Sequence, residues 1–141
     1  MIKLMLAPGI QPEMQAVLEG KFDLFDMTGH DRPSQISGMA PSAIQAVVTK
    51  GESIFTAEMI ADLPNLEIIS NYGVGYDGTD AVAARKQGVI VTHTPDVLTD
   101  ETANTSLLLT LAVTRKLLPL DRLIRSGGWP DEPQELLANS I

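Results

Sequence analysis

The sequence predicts an open α/β fold, a doubly wound sheet of five parallel strands in the order 2-1-3-4-5. Two observations carry this. Five short, near-continuous runs of β-branched and aliphatic residues lie between Ile2 and Thr92, and helix-like segments alternate with them. Apolar runs of that kind, separated by helices, imply parallel strands covered on both faces.

The first strand is expected at Ile2–Leu6, followed by the turn Ala7-Pro8-Gly9 and a helix at Pro12–Leu18. The second strand, Phe22–Phe25, leads into a Pro/Ser/Gly loop from about Gly29 to Pro41. Asp31–Ala40 is poor in helix formers, so this crossover is expected to be a short or irregular helix. Ile44–Thr49, Leu66–Ser70 and Val89–Thr92 supply strands three to five, with helices at Thr56–Asp62 and Thr79–Gln87 between them. The resulting architecture is flavodoxin-like.

After strand five the pattern changes. Thr99 or Asp100 can cap a helix running to about Leu118. Its residues Leu107, Leu108, Leu109, Leu111, Ala112, Val113, Leu117 and Leu118 make it apolar on most sides. A helix apolar nearly all round must be buried nearly all round, which one five-stranded sheet cannot do for a terminal helix. Pro119 opens a second helix, Leu120 to Ser126, ended by Gly127-Gly128-Trp129-Pro130. The expected division is a substrate-binding sheet domain at 1–98, a linking helix pair at 99–127 and a tail at 128–141. The tail is acidic, lacks a docking face and is expected to be disordered. The chain reads as an unfinished protein.

Composition removes several function classes. Of 141 residues, 44% are hydrophobic and 20% charged, which suits a globular chain rather than a disordered one. Eighteen acidic against ten basic residues give a net charge of −8, which argues against nucleic-acid and anionic-membrane partners. The absence of cysteine excludes disulfides, thiolate catalysis and sulfur-ligated zinc. Met1–Ala7 is too short for the apolar core of a signal peptide, and Leu107–Leu111 is far short of a membrane span. A cytoplasmic protein is expected.

The most informative stretch is Asn71-Tyr72-Gly73-Val74-Gly75-Tyr76-Asp77. With Gly78 it fits G-x-G-x-x-G, the dinucleotide fingerprint. That fingerprint needs an acid at the end of the next strand, whereas Val89–Thr92 ends in His93-Thr94-Pro95 and Asp96 lies too far along. It also belongs in the first βα unit of its domain, and three strands precede this one. Glycines could simply supply a tight turn. A better reading is a turn whose backbone N–H groups at Val74 and Gly75 face a small anion such as a carboxylate. Lys50 and Gly51 end strand three at the same sheet edge, beside the switch in strand order where such sheets bind ligands. Lys50 could steer the anion, and the Gly51 amide could add to the site. Asp77 is expected to cap the following helix.

Other chemistry of this architecture is missing. A phosphoryl-receiver domain needs acids after strand one and an aspartate ending strand three, where Ala7-Pro8 and Thr49-Lys50 stand. A flavin site needs a hydroxyl-rich loop after strand one, and Ala7-Pro8-Gly9-Ile10-Gln11-Pro12 is none. His30 and His93 are isolated, reading as a surface residue and a loop hydrogen-bonder rather than a catalytic or metal pair.

The stretches Pro64–Asp77 and Gln87–Ala103 together resemble the D-isomer-specific 2-hydroxyacid dehydrogenases, in the manner of glyoxylate/hydroxypyruvate reductases. The similarity runs from about Ala46 to Trp129. It implies two α/β domains, a flavodoxin-like substrate domain and a Rossmann domain that binds NAD or NADP. It implies that Lys50-Gly51 and Val74-Gly75 hold a substrate carboxylate, and that Thr102 lies near the cofactor. It also implies that the helix from Thr99 crosses toward the Rossmann domain, which accounts for its apolarity. His93 stands where an asparagine is common. The family's cofactor strand, and the arginine, glutamate and histidine that act on the substrate carbonyl, lie beyond Ile141 in relatives. No catalytic residue and no bound cofactor are therefore expected in this chain. The partners implied are a small 2-keto or 2-hydroxy acid, the Rossmann domain, and a second copy meeting through the 99–118 helix. The competing expectation is a non-catalytic binding or oligomerisation module.

Overall fold

The computed structural model describes residues 1–128. Trp129, Pro130 and all but the first residue of the tail at 128–141 lie outside the described residues. The chain divides into two compact units, Met1–Asp96 and a second beginning at Val97.

In the first unit, β1 (Lys3–Leu6), α1 (Pro12–Leu18), β2 (Asp23–Asp26), β3 (Ala46–Lys50), α2 (Ala57–Ala61), β4 (Ile68–Tyr72), α3 (Ala81–Gln87) and β5 (Ile90–Thr92) follow in order. Every strand pair is parallel, and the sheet order is β2-β1-β3-β4-β5. The predicted topology is the one observed. The second crossover contains two single 3₁₀ turns, Pro33–Gln35 and Pro41–Ala43, in place of a full helix. The shortage of helix formers there predicts this.

Alternation along the strands builds two cores. Met5, Val47 and Ile69 point to one face, where Phe55, Ile60, Leu63, Ala84 and Val89 from the α2 and α3 segments cover them. Leu4, Leu6, Ala46 and Val48 point to the other, against Met14 and Leu18 of α1. Four of the five β3 residues are buried, as befits the central strand. The switch in strand order falls between β1 and β3, so the loops after β1, β3 and β4 open at one edge.

Some local signals were misplaced. The cap of α3 is Asp80, whose carboxylate accepts from Ala83 N at 2.8 Å, and not Asp77. The bridge between Phe55 and Thr79 holds the chain extended after Gly78, which delays the helix by a turn. In the second unit, α4 (Thr99–Thr114) and α5 (Leu117–Arg125) are separated at Lys116, which adopts φ +52°. Neither Thr99 nor Asp100 caps α4. The cap position is Leu98, which has no side-chain oxygen, so both candidates fall inside the first turn. Pro119 is the third residue of α5 rather than its opening one, still within the turn whose N–H groups lack helical partners.

Candidate functional site

Each loop at the sheet edge is pinned to its neighbours. Ser53 N donates to Lys50 O at 2.7 Å, while Ser53 Oγ accepts from Lys50 N at 3.0 Å and donates to Pro8 O at 2.9 Å. The β3 loop is thereby tied to the β1 loop. The β3 and β4 loops approach so closely that only backbone fits between them. A Cβ at Gly51 would meet Gly75 O at 3.1 Å, and one at Gly73 would meet Gly51 N at 3.3 Å. At Gly78 a Cβ would meet Ser53 O at 2.2 Å, which no side chain can tolerate. Of the glycines that resemble a dinucleotide fingerprint, Gly73 and Gly78 are thus spacers between two loops.

Beneath the loop sits Asn71, the fourth residue of β4, which is buried. Its Nδ2 donates to Gly73 O at 3.1 Å and Gly75 O at 2.9 Å, and its Oδ1 accepts from the buried Thr49 hydroxyl at 3.1 Å. Two carbonyls on one side require the amide NH₂ there, so the orientation of the side chain is fixed by its partners. Thr94 N adds a second donor to Gly73 O at 3.0 Å. From the β5 side, His93 Nδ1 lies 2.9 Å from Val74 O, and its ring packs on Tyr76 with centroids 4.9 Å apart. Three successive carbonyls of the loop are therefore occupied. The N–H groups of Val74 and Gly75 donate to no group among the described residues, and both residues are exposed.

Four of the five predicted site residues, Lys50, Gly51, Val74 and Gly75, come together at this edge. Lys50 Nζ lies 3.6 Å from Glu52 Oε2. Glu52 is almost fully exposed, so that pair is weak and leaves the ammonium free to meet an anion. Thr102 belongs to α4 in the second unit, where its hydroxyl donates to Leu98 O at 2.9 Å. Sequence reasoning gave Asn71 and Thr49 no role. The available signal was a polar residue at the fourth position of each of two neighbouring strands.

A dinucleotide does not fit these residues. The Asp80 carboxylate already occupies the N-terminus of α3, where a pyrophosphate would have to sit. A shallow depression of about 510 Å³ beside the loop is lined by Tyr76, Asp77 and Asp80 among others, and its carboxylates make it unfavourable to anions. Among the described residues there is no group of three metal-binding side chains, and no helix is long and apolar enough to cross a membrane.

The comparisons with known proteins agree with one another. The chain is 37% identical over 126 residues to glyoxylate/hydroxypyruvate reductase A of Arabidopsis thaliana, covering 89% of this chain and 40% of that protein. It is 38% identical over 115 residues to a glyoxylate reductase of Pyrococcus horikoshii, covering 80% and 34%. Among solved structures, a 2-hydroxyacid dehydrogenase from Ketogulonicigenium vulgare Y25 superimposes with a TM-score of 0.77 at 34% identity, over 99% of this chain and 43% of that one. An NADPH-dependent glyoxylate/hydroxypyruvate reductase from Sinorhizobium meliloti, solved with NADP and malonate, gives 0.73 at 28% identity, over 99% and 43%. The chain thus spans about two-fifths of the length of these relatives. A family profile, D-isomer specific 2-hydroxyacid dehydrogenase, catalytic domain, matches residues 4–118. On that match and these relatives, the chain belongs to the D-isomer specific 2-hydroxyacid dehydrogenases, in their catalytic domain.

Proposed function

We propose that this chain is the substrate-binding portion of an NAD(P)-dependent D-2-hydroxyacid dehydrogenase that reduces a small 2-keto acid such as glyoxylate or hydroxypyruvate. The observation that carries the reading is the loop Gly73–Gly75, whose carbonyls are tied off while the amides of Val74 and Gly75 meet no acceptor among the described residues. A carboxylate resting there accepts two charge-assisted hydrogen bonds, a class worth roughly 1.5–3 kcal/mol each. Gly51 brings a third amide to the same edge, and Lys50 supplies the attracting charge. The job of this chain is to bind and orient the acid. When bound, the nicotinamide cofactor would supply the hydride. Within this proposal Thr102 lies on the cofactor side, and the site of action is the cytoplasm.

The test is a titration of the ¹⁵N-labelled chain with glyoxylate at millimolar concentration. Shifts concentrated at Gly73–Asp77 and Gly51 support the reading, and an unchanged spectrum overturns it. With NADH or NADPH and glyoxylate, the 141-residue chain is expected to show no turnover.

The exposed α4 leucines favour a second component. Leu107, Leu108 and Leu109 are each about 60% exposed, and leucines with no cover promote association. Self-association through the 99–118 helix is expected, and a monodisperse monomer by light scattering at micromolar concentration would count against it.

A further inference from the structure

We propose that His93 is a positioning residue for the substrate carboxylate, holding the Gly75 N–H in its binding direction through the Val74 carbonyl. The inference rests on the carboxylate reading above and deepens it.

In a planar trans peptide the C=O of one residue and the N–H of the next point in opposite directions. Fixing a carbonyl therefore fixes the following amide. Gly73 O, held by Asn71 Nδ2 at 3.1 Å and Thr94 N at 3.0 Å, sets the Val74 N–H. Gly75 O, held by Asn71 Nδ2 at 2.9 Å, sets the Tyr76 N–H. The peptide between them, Val74–Gly75, carries the second anion-binding amide. Among the described residues, its carbonyl has one donor, His93 Nδ1 at 2.9 Å.

That peptide is also able to turn over. Gly75 has no Cβ, so a crankshaft rotation about its bonds meets little steric resistance. Turned over, it would present the Val74 carbonyl where an anion needs a donor, replacing attraction by repulsion. A carbonyl only accepts, so the contact requires a proton on Nδ1 and fixes the tautomer of neutral His93. The Tyr76 ring packs against the imidazole, with centroids 4.9 Å apart. Asn71 thus secures the flanking peptides from below, and His93 secures the middle one from β5. Asn71 is buried and its replacement endangers the fold. His93 is exposed and can be changed with little risk to it.

The decisive experiment compares the ¹⁵N-labelled full chain with His93→Ala and His93→Asn, each titrated with glyoxylate. Loss of one ordinary hydrogen bond corresponds to roughly a two- to tenfold change in Kd. His93→Ala is expected to weaken glyoxylate by about that factor. Its saturating shift at Gly75 should shrink while that at Val74 is kept, because Asn71 and Thr94 still hold the preceding peptide. His93→Asn restores a side-chain N–H and is expected to return the Gly75 shift and bring Kd within about twofold of the unchanged chain. A merely structural role would disturb both amides together and would not be repaired by asparagine. His93→Ala binding like the unchanged chain, or asparagine performing no better than alanine, overturns the proposal alone. An unchanged chain whose loop amides never move overturns the carboxylate reading and this proposal with it.

Discussion

The sheet unit and α4 are both rich in apolar side chains, and they use them in opposite ways. In the sheet unit, Met5, Val47, Phe55, Leu63 and Ile69 are completely enclosed. In α4, no residue is buried, and Val113 is 76% exposed. The polar groups differ too. Thr102, Ser106, Thr110 and Thr114 each donate to the carbonyl four residues earlier, at 2.8–2.9 Å, so this hydroxyl stripe needs no outside partner. That stripe could face an apolar environment without leaving its own hydroxyls unsatisfied. The contrast teaches that apolar content signals burial only together with the elements able to cover it. One unit encloses its apolar side chains in a core, and α4 leaves its own exposed.

The largest expected effect tests that contrast directly. Phe55→Ala empties a fully enclosed site and is expected to cost about 3–5 kcal/mol by urea denaturation. Leu108→Ala, at a side chain 61% exposed, is expected to stay within about 0.5 kcal/mol. Comparable losses at the two positions would mean that α4 is covered in solution, and the contrast would fail. Loss at Leu108 that grows with protein concentration would locate the cover in a second copy.

Next comes the loop packing that shapes the site. Gly78→Ala drives a methyl into Ser53 O, which belongs to backbone held on both sides and cannot retreat. A destabilisation of about 3 kcal/mol is expected, at the upper end of overpacking. Gly88→Ala serves as the control, since the glycine ending α3 has φ +81° but open space around it. Only the left-handed backbone is then penalised, at about 1 kcal/mol. Equal losses would show that the two loops can separate, and that the anion site is less rigid than its contacts suggest.

The fold was legible because its signals are cumulative. Val47 and Ile69 lie in near-continuous apolar runs separated by helices, a pattern that demands parallel strands covered on both faces. The order followed from that pattern as the one common to flavodoxin-like doubly wound sheets. Element ends were less legible, since they depend on contacts across the chain. Asp77 and Asp80 are equally good caps by type, and only the pairing of Phe55 with Thr79 decides between them. At the site, Lys50-Gly51 and Val74-Gly75 were visible because glycine and lysine stand out at strand ends. Asn71 and Thr49 were not, because their value is a hydrogen bond between side chains 22 positions apart. His93 was read as a loop hydrogen-bonder, but nothing in its neighbours named Val74 as the acceptor.

A smaller effect separates the two sides of the crossover that closes the first core. Arg32 Nε donates to Asp62 Oδ2 at 2.9 Å, and Ser34 Oγ donates to the same oxygen at 3.0 Å. The hydrogen bond from Arg32 leads the causes that hold the Asp62 carboxyl below its usual range. A carboxylate lowered in the folded state contributes stability that is fully present above its unfolded value, near pH 4, and is lost as pH falls through the lowered folded value. Arg32→Ala should therefore weaken the protein at neutral pH and flatten its decline on acidification below pH 4, since much of the linkage is then gone. An acid titration of thermal stability that kept its slope in the variant would place the acid sensitivity elsewhere. Arg32 is itself well exposed, so the change should be modest and should shrink further in high salt.

The smallest effect has the opposite sign, which makes it a sharp test of how α4 is placed in solution. Thr110 is exposed and spends its hydroxyl on Ser106 O at 2.8 Å. Back-bonding of this kind slightly disfavours the helix, and alanine is the better helix former by up to about 0.7 kcal/mol. In a chain whose α4 faces water, Thr110→Ala should raise helicity measured by circular dichroism and leave the sheet unit's unfolding midpoint unchanged. If α4 instead lies against a second copy, the lost hydroxyl and methyl leave a small void at the contact. The same substitution then lowers the association constant while helicity still rises. Helicity and association moving apart would identify the 99–118 helix as an interface, and helicity rising alone would leave its leucines facing solvent.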